Sequence, residues 1–401
     1  MSRWPEAALG DLCDITIGKT PPRAERKYWG GGMPWLSIAD MNQGRDLRVT
    51  KEQVTSLAAD GPAGRLVQPG TLLLSFKLSV GKLGFSRVPM YTNEAIAALS
   101  IKDESRTRPE FLYWALKCAD LLRDADDAAM GKNLNKKKLA EFIVPLPHPA
   151  EQRRIAAVLD QVDILRAKRR EAIALLDDLT QSIFLDMFGD PSMNIRGFEV
   201  RELETLVAEG DRINYGVVQP GRHVEGGIPL IRSGDLGRFG VDRSSLMQIS
   251  PDIESSYSRS RIKGNEILIG CVGAIGEVSI VGPDDVGSNV ARAVARVPVA
   301  GDVDREYLAA YLRMDFAQHY FTRELRTVAQ PTLNIKQIKS APVVFPPSHL
   351  RSKFAERARS VTQQRAVHVT HLATLDELFT SLQHRAFSGA LWDHEALGEA
   401  A

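Results

Sequence analysis

The chain has 401 residues, of which 44% are hydrophobic and 25% are charged, and its formal net charge is +1. This length exceeds what one hydrophobic core usually serves, so two or three domains are expected. The composition is that of a globular protein, and no run of about 18 apolar residues predicts a membrane span. The small net charge excludes nucleic-acid binding through bulk positive charge but allows local basic faces.

The cysteines and the N-terminus indicate where the protein works. Cys13, Cys118 and Cys271 are scattered, and no pair has zinc-type spacing. Arg3 is not followed by the apolar segment of a secretory signal. We therefore expect reduced cysteines, no metal site, no membrane partner and a cytoplasmic location.

One sequence pattern occurs twice. Residues 32–40 read GMPWLSIAD and residues 227–235 read GIPLIRSGD, so that Pro34 and Pro229 differ by 195. The offset has widened to 199 at Asn135 and Asn334, as small loop insertions would produce. Such duplication predicts one domain used twice, on two targets that need not be identical.

The first predicted domain covers residues 1–149. Short apolar runs at residues 72–74 and 143–144 predict buried strands, and the glycines at 30–32 predict a loop. Residues 109–122 have an apolar face at helical spacing, which predicts a helix.

A central spacer helix is predicted for residues 150–190. Residues 151–188 contain no Gly or Pro, and a Gly-Asp-Pro turn follows at 189–191. At about 1.5 Å per residue the helix would be roughly 57 Å long. Apolar residues recur in sevens, which predicts a coiled-coil seam, in two series: Ile155, Val162, Leu176 and Ile183, and then Val158, Leu165, Ala172 and Leu179.

The second half repeats this order. Residues 195–347 form the second predicted domain, residues 348–389 a distal spacer helix, and residues 390–401 a tail. The distal seam consists of Phe354, Val361, Leu375 and Leu382, with His368 in the same series. We expect an α+β fold with two homologous domains, whose long helices pack as an antiparallel coiled coil under a pseudo-two-fold axis. The alternative is that each helix folds back on its own domain as a surface helix.

Fragments of catalytic motifs are present without the rest. The Gly-Lys-Thr at 18–20 resembles the end of a phosphate-binding loop, but Cys13 occupies the position of its first glycine. Gly270, Gly273 and Gly276 are too evenly spaced for a dinucleotide site. The paired prolines at 346–347 lack the preceding Asn or Asp of amino-methyltransferases. We therefore expect no active site and no cofactor in this chain.

Polar and basic residues lie in loops at matching places of the two copies. Lys and Arg neutralise phosphates, while Arg, Asn and Gln can pair with base edges. A solvated surface is the alternative for each residue alone. The candidates in the first copy are Lys19, Thr20, Arg23, Lys27, Tyr28, Lys132, Asn133, Asn135 and Lys136, and those in the second copy are Tyr215, Gln219, Arg222, Arg326, Gln330, Thr332, Asn334 and Lys336.

Another pair of candidates follows a matched strand. The repeat aligns Ser37 with Arg232, which is followed by Ser233. Different side chains at equivalent places would allow the two copies to read different sequences.

These features together resemble the specificity subunit of type I restriction-modification systems over essentially the whole chain. The second copy departs from the pattern, because it lacks the Tyr-Trp pair and has Ser-His-Leu-Arg at 348–351 in place of the Glu-Gln-Arg run. The resemblance is carried by GKTP at 18–21, YWG at 28–30, MPW at 33–35, LN at 134–135, PLP at 145–147, EQRRIA at 151–156, FGDP at 188–191 and SLQHRAFSG at 381–389.

The resemblance implies a non-catalytic subunit that binds double-stranded DNA. Each domain, a target-recognition domain, would read one half of a bipartite site in the major groove, and the helices would fix the gap. Two modification subunits would bind S-adenosylmethionine and methylate adenine, and restriction subunits would use ATP and Mg to cut DNA. The helix faces outside the seam would be docking surface. Other hypotheses are a non-catalytic coiled-coil scaffold of a related defence system and an enzyme with an unrecognised site.

Overall fold

The computed structural model describes residues 4–122, 126–128, 131–325 and 331–392, and for 126–128 and 131–133 it describes the backbone alone. The chain divides into two compact units. Unit 1 is Met1–Lys168 with Leu372–Ala401, and unit 2 is Arg169–His371. None of the described helices is both long and apolar enough to cross a membrane.

Unit 1 is built on a five-stranded sheet of order β2-β9-β6-β7-β4, with a second sheet of order β5-β3-β8. Its helices are α1 (Leu9–Leu12), α2 (Ser56–Ala59), α3 (Pro109–Cys118), α4 (Lys136–Glu141) and the start of α5 (Pro149–Phe188). Its strands are β1 (Glu6–Ala8), β2 (Cys13–Ile17), β3 (Trp29–Leu36), β4 (Asp46–Leu47), β5 (Glu52–Val54), β6 (Leu72–Ser75), β7 (Leu83–Ser86), β8 (Tyr91–Thr92), β9 (Ile96–Ile101), β10 (Asp126–Ala128), β11 (Gly131–Asn133) and β12 (Ile143–Pro145).

Unit 2 repeats the plan with sheets of order β14-β22-β19-β20 and β18-β15-β21. Its helices are α6 (Pro251–Ser255), α7 (Arg305–Leu312), α8 (Asp315–Arg323), α9 (Ile335–Lys339) and the start of α10 (Ser348–Ser388). Its strands are β13 (Glu199–Glu202), β14 (Asn214–Tyr215), β15 (Ile228–Ile231), β16 (Leu236–Gly237), β17 (Gly240–Val241), β18 (Met247–Ile249), β19 (Glu266–Gly270), β20 (Val278–Ile280), β21 (Asn289–Val290), β22 (Val294–Pro298) and β23 (Pro342–Phe345).

The predicted elements follow from local sequence. The apolar runs at 72–74 and 143–144 lie in β6 and β12, and the predicted helix at 109–122 is α3, which ends four residues earlier at Cys118. Gly189 has φ of +79°, and its N–H bonds to the Leu185 carbonyl oxygen at 2.8 Å, which ends α5 as a glycine cap does.

Inside each unit the two long helices run antiparallel. In unit 1, Arg166 Nε donates to Asp376 Oδ1 at 2.5 Å, and the Arg154 guanidinium lies 4.0 Å from the Trp392 ring centroid. In unit 2, the Phe184 and Phe354 rings lie 5.5 Å apart, and Arg365 pairs with Asp177.

The predicted seam residues are placed as follows. Ile155, Val162, Phe354 and Val361 are buried, while Leu176, Ile183, Leu375 and Leu382 are half-buried. His368 is half-buried too, with its Nδ1 atom 2.9 Å from Arg169 Nη1.

The second heptad series is less enclosed than a full coiled-coil seam requires. Leu165 and Leu179 are 38% and 40% exposed. Ile155 and Leu159 instead share the core of the unit 1 sheet, so the start of α5 packs on its own domain as well as on α10. The α+β class with a repeated domain is confirmed, whereas the supercoil and the pseudo-two-fold axis stay predictions.

Candidate nucleic-acid interface

The first candidate loop in unit 1 leaves the sheet at the end of β2. The Lys19 N–H bonds to the Thr92 carbonyl oxygen at 2.8 Å, and the Lys19 side chain is exposed. A Cβ atom on Gly18 would lie 2.2 Å from the Asn93 and Thr92 carbonyl oxygens. Only glycine therefore allows the chain to leave β2 so close to these carbonyl oxygens. Thr20 donates to Glu94, so its hydroxyl fixes the loop.

Aromatic rings support this loop. Trp35 is buried, and its Nε1 donates to the Lys19 carbonyl oxygen at 3.1 Å. The Arg23 guanidinium lies 4.2 Å from the Trp29 ring centroid and also pairs with Glu52. Stacking and pairing hold Arg23 in one orientation while half of its side chain stays open to solvent.

Lys27 and Tyr28 form a second contact in the same loop. Lys27 Nζ lies 5.1 Å from the Tyr28 ring centroid and 3.2 Å from Glu25 Oε2. The hydrogen bond that the Lys27 ammonium donates to Glu25 raises the pKa of Lys27, so it stays charged. Tyr28 is half-buried and serves as a platform for this cation.

The aligned residues Ser37 and Arg232 share a capping role. Ser37 donates to Asp40 Oδ2 from its N–H at 2.9 Å and from its hydroxyl at 2.7 Å. Arg232 donates to Asp235 from its N–H at 2.8 Å, from Nε at 3.0 Å and from Nη2 at 2.9 Å. The repeated aspartate therefore closes one turn after the strand in both units.

The pairing with Asp235 holds the exposed guanidinium of Arg232 in place. Its guanidinium is 46% exposed, yet two of its nitrogens are engaged with Asp235. The adjacent carboxylate raises the pKa of Arg232 and holds the planar group in a fixed direction. A fixed guanidinium loses less conformational entropy when it pairs with a base. Beside it, the Ser233 hydroxyl donates to the Val272 carbonyl oxygen at 2.7 Å and thereby ties down the β19–β20 turn.

A third segment joins the interface in both units through one matched bond. The Leu134 N–H bonds to the Phe76 carbonyl oxygen at 3.1 Å, and the Leu333 N–H bonds to the Cys271 carbonyl oxygen at 3.0 Å. Leu134, just before α4, therefore lies beside the β6–β7 turn in unit 1, and Leu333, just before α9, lies beside the β19–β20 turn in unit 2.

Some of the residues predicted to contact DNA make hydrogen bonds within the protein that stabilise the loops. Asn135 Oδ1 accepts from the Lys138 N–H at 2.9 Å and caps α4. The Asn334 N–H donates to Gln337 Oε1 at 2.9 Å at the start of α9. The Tyr215 hydroxyl donates to the Leu333 carbonyl oxygen at 3.0 Å and accepts from the Ile335 N–H at 3.1 Å. Burial raises the pKa of Tyr215, which stays protonated as this bonding requires.

The remaining candidates differ in what the structure describes. Lys136, Gln219, Arg222 and Lys336 are exposed, and Thr332 is half-buried. Arg326 and Gln330 lie outside the described residues, as do the side chains of Lys132 and Asn133.

Sequence reasoning missed Leu78. It lies in the β6–β7 turn with φ of +62°, and its side chain is 66% exposed. A branched apolar residue in this left-handed region is strained, and such strain clusters at functional sites. The repeat offset of 195 aligns Leu78 with Gly273, which has φ of +78° without that strain. The alignment of Leu with Gly was the available signal.

The Leu78 turn lies next to the capping turn described above. Lys82 Nζ donates to the Ile38 carbonyl oxygen at 3.1 Å and to Asn42 Oδ1 at 2.8 Å. Together with the bond from Leu134, this brings the ends of β2, β3 and β6 and the segment before α4 to one edge of unit 1.

Within the described ranges, no group of three or more His, Cys, Asp or Glu side chains could hold a metal ion. The cysteines are free, and burial raises the pKa of Cys13 and Cys271 to about 12, so these two thiols are unreactive at neutral pH.

Comparison with known proteins agrees with this repeated arrangement. The family model of the type I restriction modification DNA specificity domain matches residues 1–175 and 198–369. The EcoBI specificity subunit of Escherichia coli is 27% identical over 97% of this chain and 86% of its own length. The MjaIX specificity subunit of Methanocaldococcus jannaschii is 26% identical over 47% of this chain and 44% of its own length.

Solved structures share the fold. The S subunit of the type I restriction-modification system of M. genitalium matches with a TM-score of 0.64 and 15% identity, covering 96% of both chains. A chain from a study of type I complex assembly and conformational transition matches with a TM-score of 0.55 and 16% identity, covering 97% of this chain and 98% of that chain. The chain belongs to the type I restriction-modification DNA specificity family and carries two copies of its domain.

Proposed function

We propose that this chain reads a bipartite DNA site, one half with each unit, and that it carries no catalysis of its own. The main support is that equivalent loops meet at one edge of each unit. The segment before α4 bonds to the β6–β7 turn through Leu134 and Phe76 in unit 1, and the segment before α9 bonds to the β19–β20 turn through Leu333 and Cys271 in unit 2. Equivalent edges with different side chains suit two different half-sites. The scaffold hypothesis accounts for neither edge and is not favoured.

Exposed cations on each edge suit phosphate contacts, which position the duplex without reading it. In unit 1 these are Lys19, Arg23, Lys27 and Lys136, and in unit 2 they are Arg222 and Lys336. Lys132 and Arg326 belong to the same proposal by their sequence positions.

We propose that residues at the tips of the turns contact the base edges and read the sequence. In unit 2, Arg232 donates from Nε and Nη2 to Asp235, and Nη2 also donates to the Ser245 carbonyl oxygen. Its fixed guanidinium therefore offers Nη1 to the O6 or N7 acceptor of guanine, and Ser233 and Gln219 are further candidates in this unit. In unit 1, the aligned Ser37 is small, and the exposed Leu78 offers an apolar contact that suits a thymine methyl group. Asn133, Gln330 and Thr332 remain candidates by position.

The long helices would connect this subunit to its partners. Several large apolar side chains on these helices are exposed, and we propose that they contact other proteins. We call these residues the apolar helix set: Ile164, Leu165, Leu175, Leu179, Leu185, Val367, Val369 and Leu378.

We propose that the apolar helix set docks two modification subunits, with restriction subunits joining them. S-adenosylmethionine, ATP and Mg would be bound by those partners. The three free cysteines support a reducing, cytoplasmic setting.

The test is a binding assay of the chain with its modification subunits on duplex DNA across a salt series. Phosphate contacts require that affinity fall as salt rises. The matched control is a duplex of the same length with one half-site scrambled. Binding that is absent, or that ignores salt and sequence, would contradict the proposal, and turnover by the isolated chain would favour an enzyme.

A further inference from the structure

Unit 2 contains a cavity of about 700 Å³ that the proposed function does not use. Its walls come from the end of α5, from β20, from α7 and from the start of α10. This volume lies in the range of small-molecule binding sites, which are concave, largely apolar and carry a few converging polar groups.

In unit 1 the matching space is filled by aromatic side chains. The Trp114 ring centroid lies 5.5 Å from that of Phe379 and 5.0 Å from that of Tyr113. Trp114 Nε1 donates to Asp160 Oδ1 at 2.6 Å, and Arg45 pairs with the same carboxylate. The Phe85 ring stacks on Tyr113 with 5.7 Å between centroids, and Leu159 belongs to the same buried cluster. We call this group the aromatic plug.

Buried aromatic and aliphatic residues give the sequence alignment of the two units in this region. Phe111 of α3 aligns with Tyr307 of α7 at an offset of 196, and Ile155 of α5 aligns with Phe354 of α10 at an offset of 199. Phe188 and Phe387, near the ends of the two long helices, share the offset of 199. These offsets locate the counterpart of each plug residue.

Each counterpart is smaller. Trp114 is matched by Ala310, Phe379 by Thr180, Phe85 by Ile280 and Leu159 by Ala358, and all four of these smaller residues line the cavity. An empty space of this kind costs stability through lost contacts. Large side chains of unit 1 are thus replaced by small ones at four places, each on a separate element of unit 2. This pattern indicates that a ligand fills the space.

The charge at the cavity is also reversed. Asp160 of the aromatic plug is matched by Arg359, which lines the cavity together with Arg238 and Arg313. Two carboxylates, Glu277 and Glu306, line it as well. Three cations against two anions leave one positive charge for a ligand to balance.

Existing contacts leave some of this charge available. Arg359 Nη1 lies 3.0 Å from Glu306 Oε1, and its side chain is 58% exposed. Arg313 donates from Nε and Nη2 to the Val278 carbonyl oxygen, and burial lowers its pKa to about 10, so it stays charged at neutral pH. Hydrogen bonds from these groups would be charge-assisted.

We propose that the unit 2 cavity binds a small aromatic anion. Its ring would occupy the space that Trp114 and Phe379 fill in unit 1, against Ile280, Ala310 and Ala358, and its anionic group would face Arg238 and Arg359. The apolar helix set does not line this cavity. A small ligand is therefore favoured over a docked subunit.

The probe for the test is anilinonaphthalene sulfonate, an aromatic anion that fluoresces in apolar sites. Titration of the full chain should saturate at one site, and the uncharged analogue N-phenylnaphthylamine should bind about fivefold more weakly or worse. Ala310→Trp restores the plug and should weaken sulfonate binding about tenfold or more. Arg359→Gln should weaken sulfonate binding but leave binding of the neutral analogue unchanged.

Ser360→Trp is the matched control, because Ser360 neighbours Arg359 on α10 but is exposed and does not line the cavity. Thr180→Phe gives an independent fill if Ala310→Trp does not fold. Unsaturable binding, or binding unchanged in both filled variants, overturns the site. Equal binding of the neutral analogue overturns the anion preference. Displacement of the probe by modification subunits overturns the small-ligand assignment in favour of a docked segment.

Discussion

The two units build the same strand pair from different chemistry. In unit 1, β6 pairs with β9 through Leu73 opposite Ala98, and both side chains are buried. In unit 2, the matching strands β19 and β22 place Leu268 opposite Arg296, which is fully buried. One backbone plan therefore tolerates an apolar core or a buried charge.

The buried charge in unit 2 is fully surrounded by partners. Arg296 donates from Nε to Glu266 Oε1 at 3.0 Å and from Nη2 to Asp211 Oδ2 at 2.8 Å. Asp211 lies in the loop before β14, so the network ties that loop to the sheet. Unit 2 thus depends on ionic contacts where unit 1 depends on packing, and the aromatic plug and its empty counterpart repeat the contrast.

The largest expected effect is on packing in unit 1. Trp114→Ala removes the centre of the aromatic plug and should lower the free energy of unfolding by about 3–5 kcal/mol. Urea unfolding measures it, with Leu57→Ala as the control, because Leu57 is 53% exposed. A loss below about 1 kcal/mol would show that the plug is not tightly packed.

The matching change in unit 2 is Arg296→Met. It leaves the fully buried Glu266 without its cation, which should cost about 3 kcal/mol. Arg201→Met removes an exposed pair with Glu199, which solvent screens, and should therefore cost much less stability than Arg296→Met. Equal losses in the two variants would contradict the ionic account of unit 2.

The stability of unit 2 should depend on pH in the acid range, because its ionic network includes Asp211. The hydrogen bond from Arg296 holds the pKa of Asp211 far below its usual range. A depressed pKa contributes stability above the unfolded pKa of about 3.9, and that contribution is lost as pH falls below it. Unfolding midpoints of the wild type should therefore fall below about pH 4, and Asp211→Asn should flatten this part of the profile. An unchanged profile in Asp211→Asn would contradict the assignment.

Arg232→Ala tests the difference in base reading. We expect discrimination at one position of one half-site to weaken by about 1–3 kcal/mol, because a fixed guanidinium is lost. Competition binding with single-base variants of the site measures it. Leu78→Gly is the counterpart in unit 1, since it should relieve backbone strain and keep stability while altering the other half-site. Effects of either variant on both half-sites would contradict separate reading.

The smallest effect is expected for a phosphate contact. Lys136→Ala should weaken binding to all DNA alike and reduce the slope of affinity against salt by about one. A change in sequence preference, or no change in affinity, would show that Lys136 does not contact the backbone.

The sequence located helices and strands well where the signal lies within a short stretch of residues. Absence of Gly and Pro over 151–188 located α5, and the apolar run at 72–74 located β6. The partial exposure of Leu165 and Leu179 was not predictable, since heptad spacing does not say how the helix divides its faces between a partner helix and its own domain.

The sequence indicated candidate site residues, but it could not show the hydrogen bonds that these residues make within the protein. Tyr215 bonds to Leu333 and Ile335, which lie far along the chain, so no local pattern could show that it fixes a loop. The cap of Asn135 on α4 was readable in principle from an Asn before a helix. The cavity depends on side chains from four separated segments, which one sequence cannot bring together.

Methylation-aware sequencing of the host genome, repeated with the Arg232→Ala variant, tests the central claim that each unit reads its own half-site. The account predicts a motif of two different halves separated by a fixed gap, with the variant relaxing one half and leaving the other unchanged. A continuous motif, or relaxation of both halves together, would contradict it.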